Sequence, residues 1–395
     1  VAYRAIYSYA WDLAEVGVAS VADELRARHI NTITLAASYH AGKFIRPKGR
    51  AGKVFFPEDG TVYFRTTPGR YDEIKPAANS ILKEQDVLAE VCEASGLAGN
   101  AWLVLLHNSR LGAAHPQAAV TNAFGDRYIY SLCPAAPAAR HYAVALCADV
   151  TESYPVSGIS LETPGFLPYA HGYHHEFALM RQNSWLDSLL GLCFCAHCRA
   201  GAGDAGIDVE RLQRRVRRQI DAYLASEIDV ADDMAAAFWL ADIVLDPDLG
   251  QFLRWRCDVV TSLVAEIRAV VHDDATVAVI PSVARPSGGA WYEGSDLAAL
   301  ARAAGTLEAC FYEPEVTRIE GDLWDVQRRL DGAGRLRGIL RPGHPDLDNR
   351  AAVVAAVAAL HAGGVEDIAF YNYGHLRQAS LDWMGAALAA LDGRT

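Results

Sequence analysis

The sequence predicts a closed (β/α)8 TIM barrel with long inserts after its second, third and fourth strands. Two observations carry that prediction. Short apolar, β-branched or aromatic runs alternate eight times with segments of helical period. No Gly/Pro/Ser-rich or charged linker interrupts them, so 1–395 reads as a single barrel domain. Strand then helix, repeated in one order, calls for parallel strands joined by crossovers, and eight such units close on themselves.

The strand-like runs are 4–9, 31–38, 101–107, 157–162, 276–283, 307–312, 336–341 and 367–373. Helical patterns fall near 18–28, 79–96, 136–152, 209–230 and 250–272. Four more lie near 296–304, 317–331, 349–362 and 380–391. The insert after the second strand holds Asp59-Gly60 between Val54-Phe55-Phe56 and Thr61-Val62-Tyr63-Phe64, which predicts a β-hairpin near 53–64. The region near 125–200 carries four of the cysteines.

The chemistry of the surface narrows the partners. A formal net charge of -12 argues against nucleic acid and anionic membrane, both of which select basic surfaces. The run Ala351 to Ala362 is far short of a membrane span of about 20 residues. The first residues read directly as a strand rather than as a leader. Three of the eight cysteines are packed into Cys193-Phe-Cys195-Ala-His-Cys198 and the rest are scattered, unlike a secreted disulfide scaffold. These features point to a cytoplasmic protein that handles a small molecule, with a homo-oligomer left open.

In this fold the active site lies where the strands end, in the βα loops. The predicted ends supply Tyr9 and Trp11, Tyr39 and His40, His107 and Asn108, then Glu162. Ser282 and Arg285, Tyr312 and Glu313, Arg341 and His344 follow, and last Tyr371, Asn372, Tyr373 and His375. Aromatic rings stack on the apolar faces of pyranosides, while Asn, His, Arg and carboxylates bracket their hydroxyls. The candidate substrate-binding residues are therefore Tyr9, Trp11, His40, His107, Asn108, Tyr312, Arg341, His344 and Tyr373. A bland rim or core role is as frequent for any one of them, but such side chains stand at nearly every strand end. Glu162 is the strongest single candidate. It follows the buried run Gly158-Ile-Ser-Leu161 and precedes Thr-Pro-Gly, so its carboxyl projects into the mouth, where burial raises a pKa toward general-acid duty.

Several stretches resemble glycoside hydrolase family 42 β-galactosidases. Gly125-Asp-Arg leading to Cys133-Pro, a further Pro and Arg140 is similar to that family's segment after the third strand. A fourth strand ending in Glu162, the Cys193/Cys195/Cys198 cluster and the run Asp246-Pro to Trp255-Arg extend the likeness, in pieces, over roughly 101–283. The wider set of glycosidase-like barrels with Cys-x-Cys-x-x-Cys is similar too. The resemblance implies Glu162 as the acid/base and Cys133, Cys193, Cys195 and Cys198 as a structural zinc site, with His197 a fallback ligand. Four soft thiolates suit tetrahedral zinc on chemical grounds as well.

The family's second catalytic Glu stands at the end of the seventh strand, where this chain reads Arg341-Pro-Gly-His344-Pro-Asp346. The second carboxylate is therefore expected at Glu313, with Asp346 and Asp12 behind it. His171-Gly-Tyr-His174-His175-Glu176 reads as a loop over the pocket, or as a second metal site. The functional expectation is a glycosidase acting on a small or oligomeric carbohydrate. The alternatives are a catalytically degenerate carbohydrate-binding barrel, or a sugar isomerase or lyase with His107 or His344 as base.

Overall fold

The computed structural model describes residues 2–94, 96–173, 177–282, 285 and 289–393. Eight parallel strands form the barrel: β1 (Arg4–Ser8), β2 (Thr32–Tyr39), β3 (Ala98–Val104) and β4 (Gly158–Glu162), then β5 (Thr276–Val279), β6 (Gly305–Cys310), β7 (Arg335–Leu340) and β8 (Asp367–Phe370). Each pairs with the next, and β1 pairs with both β2 and β8, through Ala5–Thr32 and Ile6–Phe370 among others. The sheet therefore has no open edge between its first and last strands, as the sequence predicted. Near-continuous apolar runs explain why: both faces of such a strand are covered, one by the barrel interior and one by helices. All eight residues of β2 are buried.

Several expected boundaries shift. The third strand ends at Val104, three residues earlier than expected, because Asn108 accepts a hydrogen bond from the Leu111 N–H at 2.9 Å and caps the short helix Ser109–Ala114. His107 and Asn108 thus belong to the loop. The last strand ends at Phe370. Part of the expected run 276–283 lies outside the described residues.

The expected hairpin near 53–64 is replaced by two separate pairings. Val54–Phe55 pairs antiparallel with Phe44–Ile45, whereas Thr61–Val62 joins the edge of β2 at Ser38 and Tyr39. Burial decides between them. Val62, Tyr63 and Phe64 are buried while Val54 and Phe56 stay exposed, so the second run packs into the barrel wall and leaves the first on the rim. Gly60 makes the turn at φ +60, with no room for a Cβ against Asn108.

The insert after β4 is helical and carries its own apolar cluster, including Leu189, Phe194, Leu212, Trp239 and Phe252. Its helix Asp232–Leu245 escaped the periodicity reading because it is apolar on nearly every face. Only Ala235 and Trp239 along it are buried, and Met234, Phe238, Leu240, Val244 and Leu245 are exposed. The following helix, Pro247–Val270, begins at Asp246, whose carboxylate caps it and pairs with Arg211 and Arg215.

Inside the barrel the packing is partly polar. Ser160 of β4 donates to Glu308 of β6 at 2.7 Å and accepts from Asn100 of β3 at 3.1 Å. Arg337 of β7 stacks over the Tyr3 ring at 3.8 Å. Glu308 is fully buried, and Ser160 supplies its one hydrogen bond among the described residues. Ser160→Ala should therefore cost about 1–3 kcal/mol of stability, the usual penalty for a buried acceptor left unpaired. Chemical denaturation checks this. Glu308→Gln, which keeps an acceptor oxygen for Ser160, should cost less.

Candidate active site

Glu162 is the last residue of β4. Its backbone is held by the segment that follows β3: its carbonyl accepts the Leu105 N–H at 3.0 Å, and the next carbonyl accepts that of Leu106 at 3.2 Å. Thr163 then takes φ +52, a strained conformation for a β-branched residue, and turns the chain out of the strand. Gly165 follows where a Cβ would strike the Glu293 carbonyl. The Thr-Pro-Gly signal thus marks a sharp exit that leaves the Glu162 side chain at the mouth.

The Trp102 indole N–H donates to Glu162 Oε2 at 2.6 Å. Burial pushes the Glu162 carboxyl up to about 7, and the indole hydrogen bond, which favours the anion, only partly opposes that. A carboxyl poised near neutrality can give and take a proton.

The carboxyl opens onto a cavity of about 210 Å³. Tyr7, Tyr39, Trp102, Tyr312 and Tyr371 form its aromatic wall, with His40, His171, Cys310 and Arg341 as polar members. Among the described residues lining it, Glu162 is the only carboxylate. Tyr9 lies behind this wall, its hydroxyl 3.0 Å from that of Tyr39 and 2.8 Å from that of Tyr371. Burial raises these phenols, Tyr371 to about 12, so they act as neutral hydrogen-bonding groups. Burial likewise keeps Cys310 a thiol rather than a nucleophilic thiolate. Arg341 stacks on Tyr312 at 4.3 Å and is held by Asp346.

The expected site residues divide into four groups. Glu162, His40, Tyr312 and Arg341 line the cavity. His107 stacks on His40 with ring centroids 4.1 Å apart, and Tyr9 supports Tyr39, so both act from behind. Trp11, Asn108, Tyr373 and Glu313 are not brought to it. Trp11 stacks on Tyr9, Asn108 caps its helix, and the Tyr373 hydroxyl donates to Glu24 at 3.0 Å. Glu313 is buried and held in ion pairs by Arg318 and, at 3.2 Å, by Arg285. His344 lies on a neighbouring cavity. The reading of 171–176 as one motif cannot be followed, because His174, His175 and Glu176 lie outside the described residues, although His171 lines the cavity. Sequence reasoning missed Tyr7 and Trp102, which sit inside strands where an aromatic residue reads as core.

The four cysteines expected as metal ligands do converge. Cys133 follows the strand Arg127–Leu132 in the β3 insert, and the other three come from the β4 insert. Their sulfurs all lie within 4.8 Å of one another, with Cys133 at 3.4 Å from Cys198, 3.7 Å from Cys195 and 3.8 Å from Cys193. A tetrahedron with metal–sulfur bonds of about 2.3 Å has edges of about 3.8 Å, so the donor set fits one such ion. Hydrogen bonding from Cys133, Cys193 and Cys198 favours the thiolate at Cys195. The cluster can therefore hold a metal.

No protein-family model matches the sequence, and no curated protein matches it. Among solved structures, the chain is similar to the α-L-fucosidase isoenzyme 2 of Paenibacillus thiaminolyticus, with a TM-score of 0.59 and 14% identity. That match covers 100% of this chain and spans 50% of the fucosidase chain. The glycoside hydrolase domain of PgaB (BpsB) from Bordetella bronchiseptica gives 0.59 at 15% identity, covering 99% of this chain and 98% of that one. The catalytic domain of β-amylase from Paenibacillus polymyxa gives 0.58 at 13%, covering 100% of both chains. None of these three is a family 42 β-galactosidase. At such identities the likeness establishes a shared barrel fold.

Proposed function

We propose that the chain is a glycoside hydrolase, with Glu162 as its general acid/base. The observation that carries this is the half-buried carboxyl of Glu162, raised to about 7, facing a pocket walled by tyrosines and Arg341. Such a group can protonate a glycosidic oxygen while rings and hydroxyls hold the sugar. The carbohydrate-acting names of the solved structures that share the barrel support the same reading. Glu313 fits an anchoring role for Arg285 and Arg318 better than a catalytic one, since it is buried, pairs with both arginines and does not line the cavity that holds Glu162. That the cavity offers one carboxylate among its described residues favours a second reading, a barrel that binds carbohydrate without cleaving it.

Glu162→Gln keeps shape and hydrogen bonding but cannot donate a proton. It should lower hydrolysis of ordinary aryl glycosides by about 10²–10⁴-fold, the usual worth of positioned acid–base catalysis, and leave sugar binding nearly intact. Glycosides with highly activated leaving groups should suffer less. Wild-type protein that binds sugars but turns over none of a broad glycoside panel would establish the second reading instead.

The acid form of Glu162 is the working one, so kcat/KM should fall as pH rises through about 7. Trp102→Phe removes the hydrogen bond that lowers this pKa, and the basic limb should move to higher pH. A pH–rate profile of both proteins reads the shift directly.

The reading extends to the cysteines: we propose that Cys133, Cys193, Cys195 and Cys198 hold one structural zinc ion. A closed four-thiolate shell leaves no position for substrate, so the ion would serve stability alone. Metal analysis of protein purified without chelators should find about one zinc per chain. Cys133→Ser should lose the metal and lower the melting temperature more than it lowers activity.

A further inference from the structure

A second cavity, of about 480 Å³, adjoins the one that holds Glu162. Arg341 and Tyr371 line both, so the two spaces share a wall made of the residues that follow β7 and β8. The inner cavity, at about 210 Å³, falls below the range of about 300–1,000 Å³ usual for small-molecule sites. On its own it suits one small ring; with its neighbour it becomes a site of ordinary size.

The outer lining has the composition of a sugar subsite. Trp383, half-buried on the helix Gln378–Asp392, borders the space. Around it stand His344, His375, Arg377, Ser380 and Asp348, which supply both donors and acceptors. Arg377 is exposed and makes no ion pair among the described residues. His375 is fixed by contacts to the Ile45 carbonyl at 3.3 Å and the Tyr9 hydroxyl at 3.4 Å. It therefore joins the outer space to the tyrosine network behind the inner one. The apolar share comes from Ile45, Pro342 and Leu376.

We infer that this outer cavity is a second saccharide subsite, so that the substrate is an oligosaccharide with one unit beside Glu162 and the next on Trp383 and Arg377. The inference rests on the glycosidase reading for its first unit. Its own evidence is the shared wall and the aromatic and polar lining of the second space. An aromatic ring beside separate donors and acceptors recognises a neutral pyranoside: the ring covers the C–H face and the polar groups take the hydroxyls. Arg341 and Tyr371, at the junction, would touch the linkage between the two units.

The test measures binding and turnover separately. Mono-, di- and trisaccharides built from glucose, galactose, fucose and N-acetylglucosamine are titrated calorimetrically into Glu162→Gln protein, and the same sugars with aryl monoglycosides are assayed with the wild type. A disaccharide of the recognised sugar should bind at least about tenfold more tightly than its monosaccharide. Trp383→Phe and Arg377→Ala should each weaken the disaccharide by about 3–30-fold and leave monosaccharide binding and aryl-monoglycoside turnover unchanged. Arg377 is exposed, so its truncation leaves the fold untouched even if the change at Trp383 disturbs packing. Equal affinity for mono- and disaccharide, or variants that weaken both alike, would overturn the second subsite. If no glycoside is hydrolysed but chain length and Arg377 still govern affinity, the hydrolase reading fails and the subsite stands.

Discussion

Closing the parallel sheet is the constraint from which the rest follows. Because the eight strands run parallel and β1 pairs with both β2 and β8, the loops after all eight strands gather at one mouth. Residues from β1, β3, β4, β6 and β7 then meet in a single small space although they lie hundreds of positions apart in the chain. That is how Tyr7, Trp102, Glu162, Cys310 and Ile339 come to line one cavity. The interior of the closed barrel also holds polar side chains, where Asn100 donates to Ser160 and Ser160 to Glu308.

Within the mouth, Trp102 sets the character of the site. Its ring packs edge-on to Tyr7 and Tyr39, at centroid distances of 5.1 Å each, and to Tyr371 at 5.9 Å. Its N–H holds one Glu162 carboxylate oxygen, while its ring is part of the packing that buries the group. The two effects act in opposite directions on proton affinity, and burial wins. Tyr9 plays the corresponding part for the wall, where one hydroxyl ties Tyr39 to Tyr371. The arrangement is rigid on the aromatic side, and the polar groups that could adjust to a ligand, His40, His171 and Arg341, come from loops.

The barrel was legible because its signals are local: runs of Val, Ile, Ala and Leu bounded by turn residues, in an unvarying order with helices. Glu162 was legible for the same reason, since a buried strand followed by Thr-Pro-Gly locates one side chain without knowing any other. The sulfur cluster was legible from spacing and from a family resemblance together. The rest was not, because it depends on three-dimensional partners. Glu313 follows its strand much as Glu162 ends its own, yet Arg318, five positions on, and Arg285 claim it. Asn108 and Tyr373 sit at expected strand ends, but a helix cap and a carboxylate on another element take their polar atoms. The helix Asp232–Leu245 carries no periodic stripe at all, so a method that reads stripes passes over it.

The placement of the four cysteines has a topological consequence. Cys133 and Cys193 are 60 positions apart, and the segment between them contains all of β4 and its exit turn. Any ion that joins them ties the acid-bearing strand into a closed ring of chain while leaving the other seven strands outside it. Loop-closure entropy grows only slowly with ring size, so the gain is of the same order as for a much shorter tie. What distinguishes this tie is its location. When the protein loosens, through heat or denaturant, the ring limits how far β4 can stray from the β3 insert, and the neighbourhood of Glu162 should be among the last parts of the mouth to come apart.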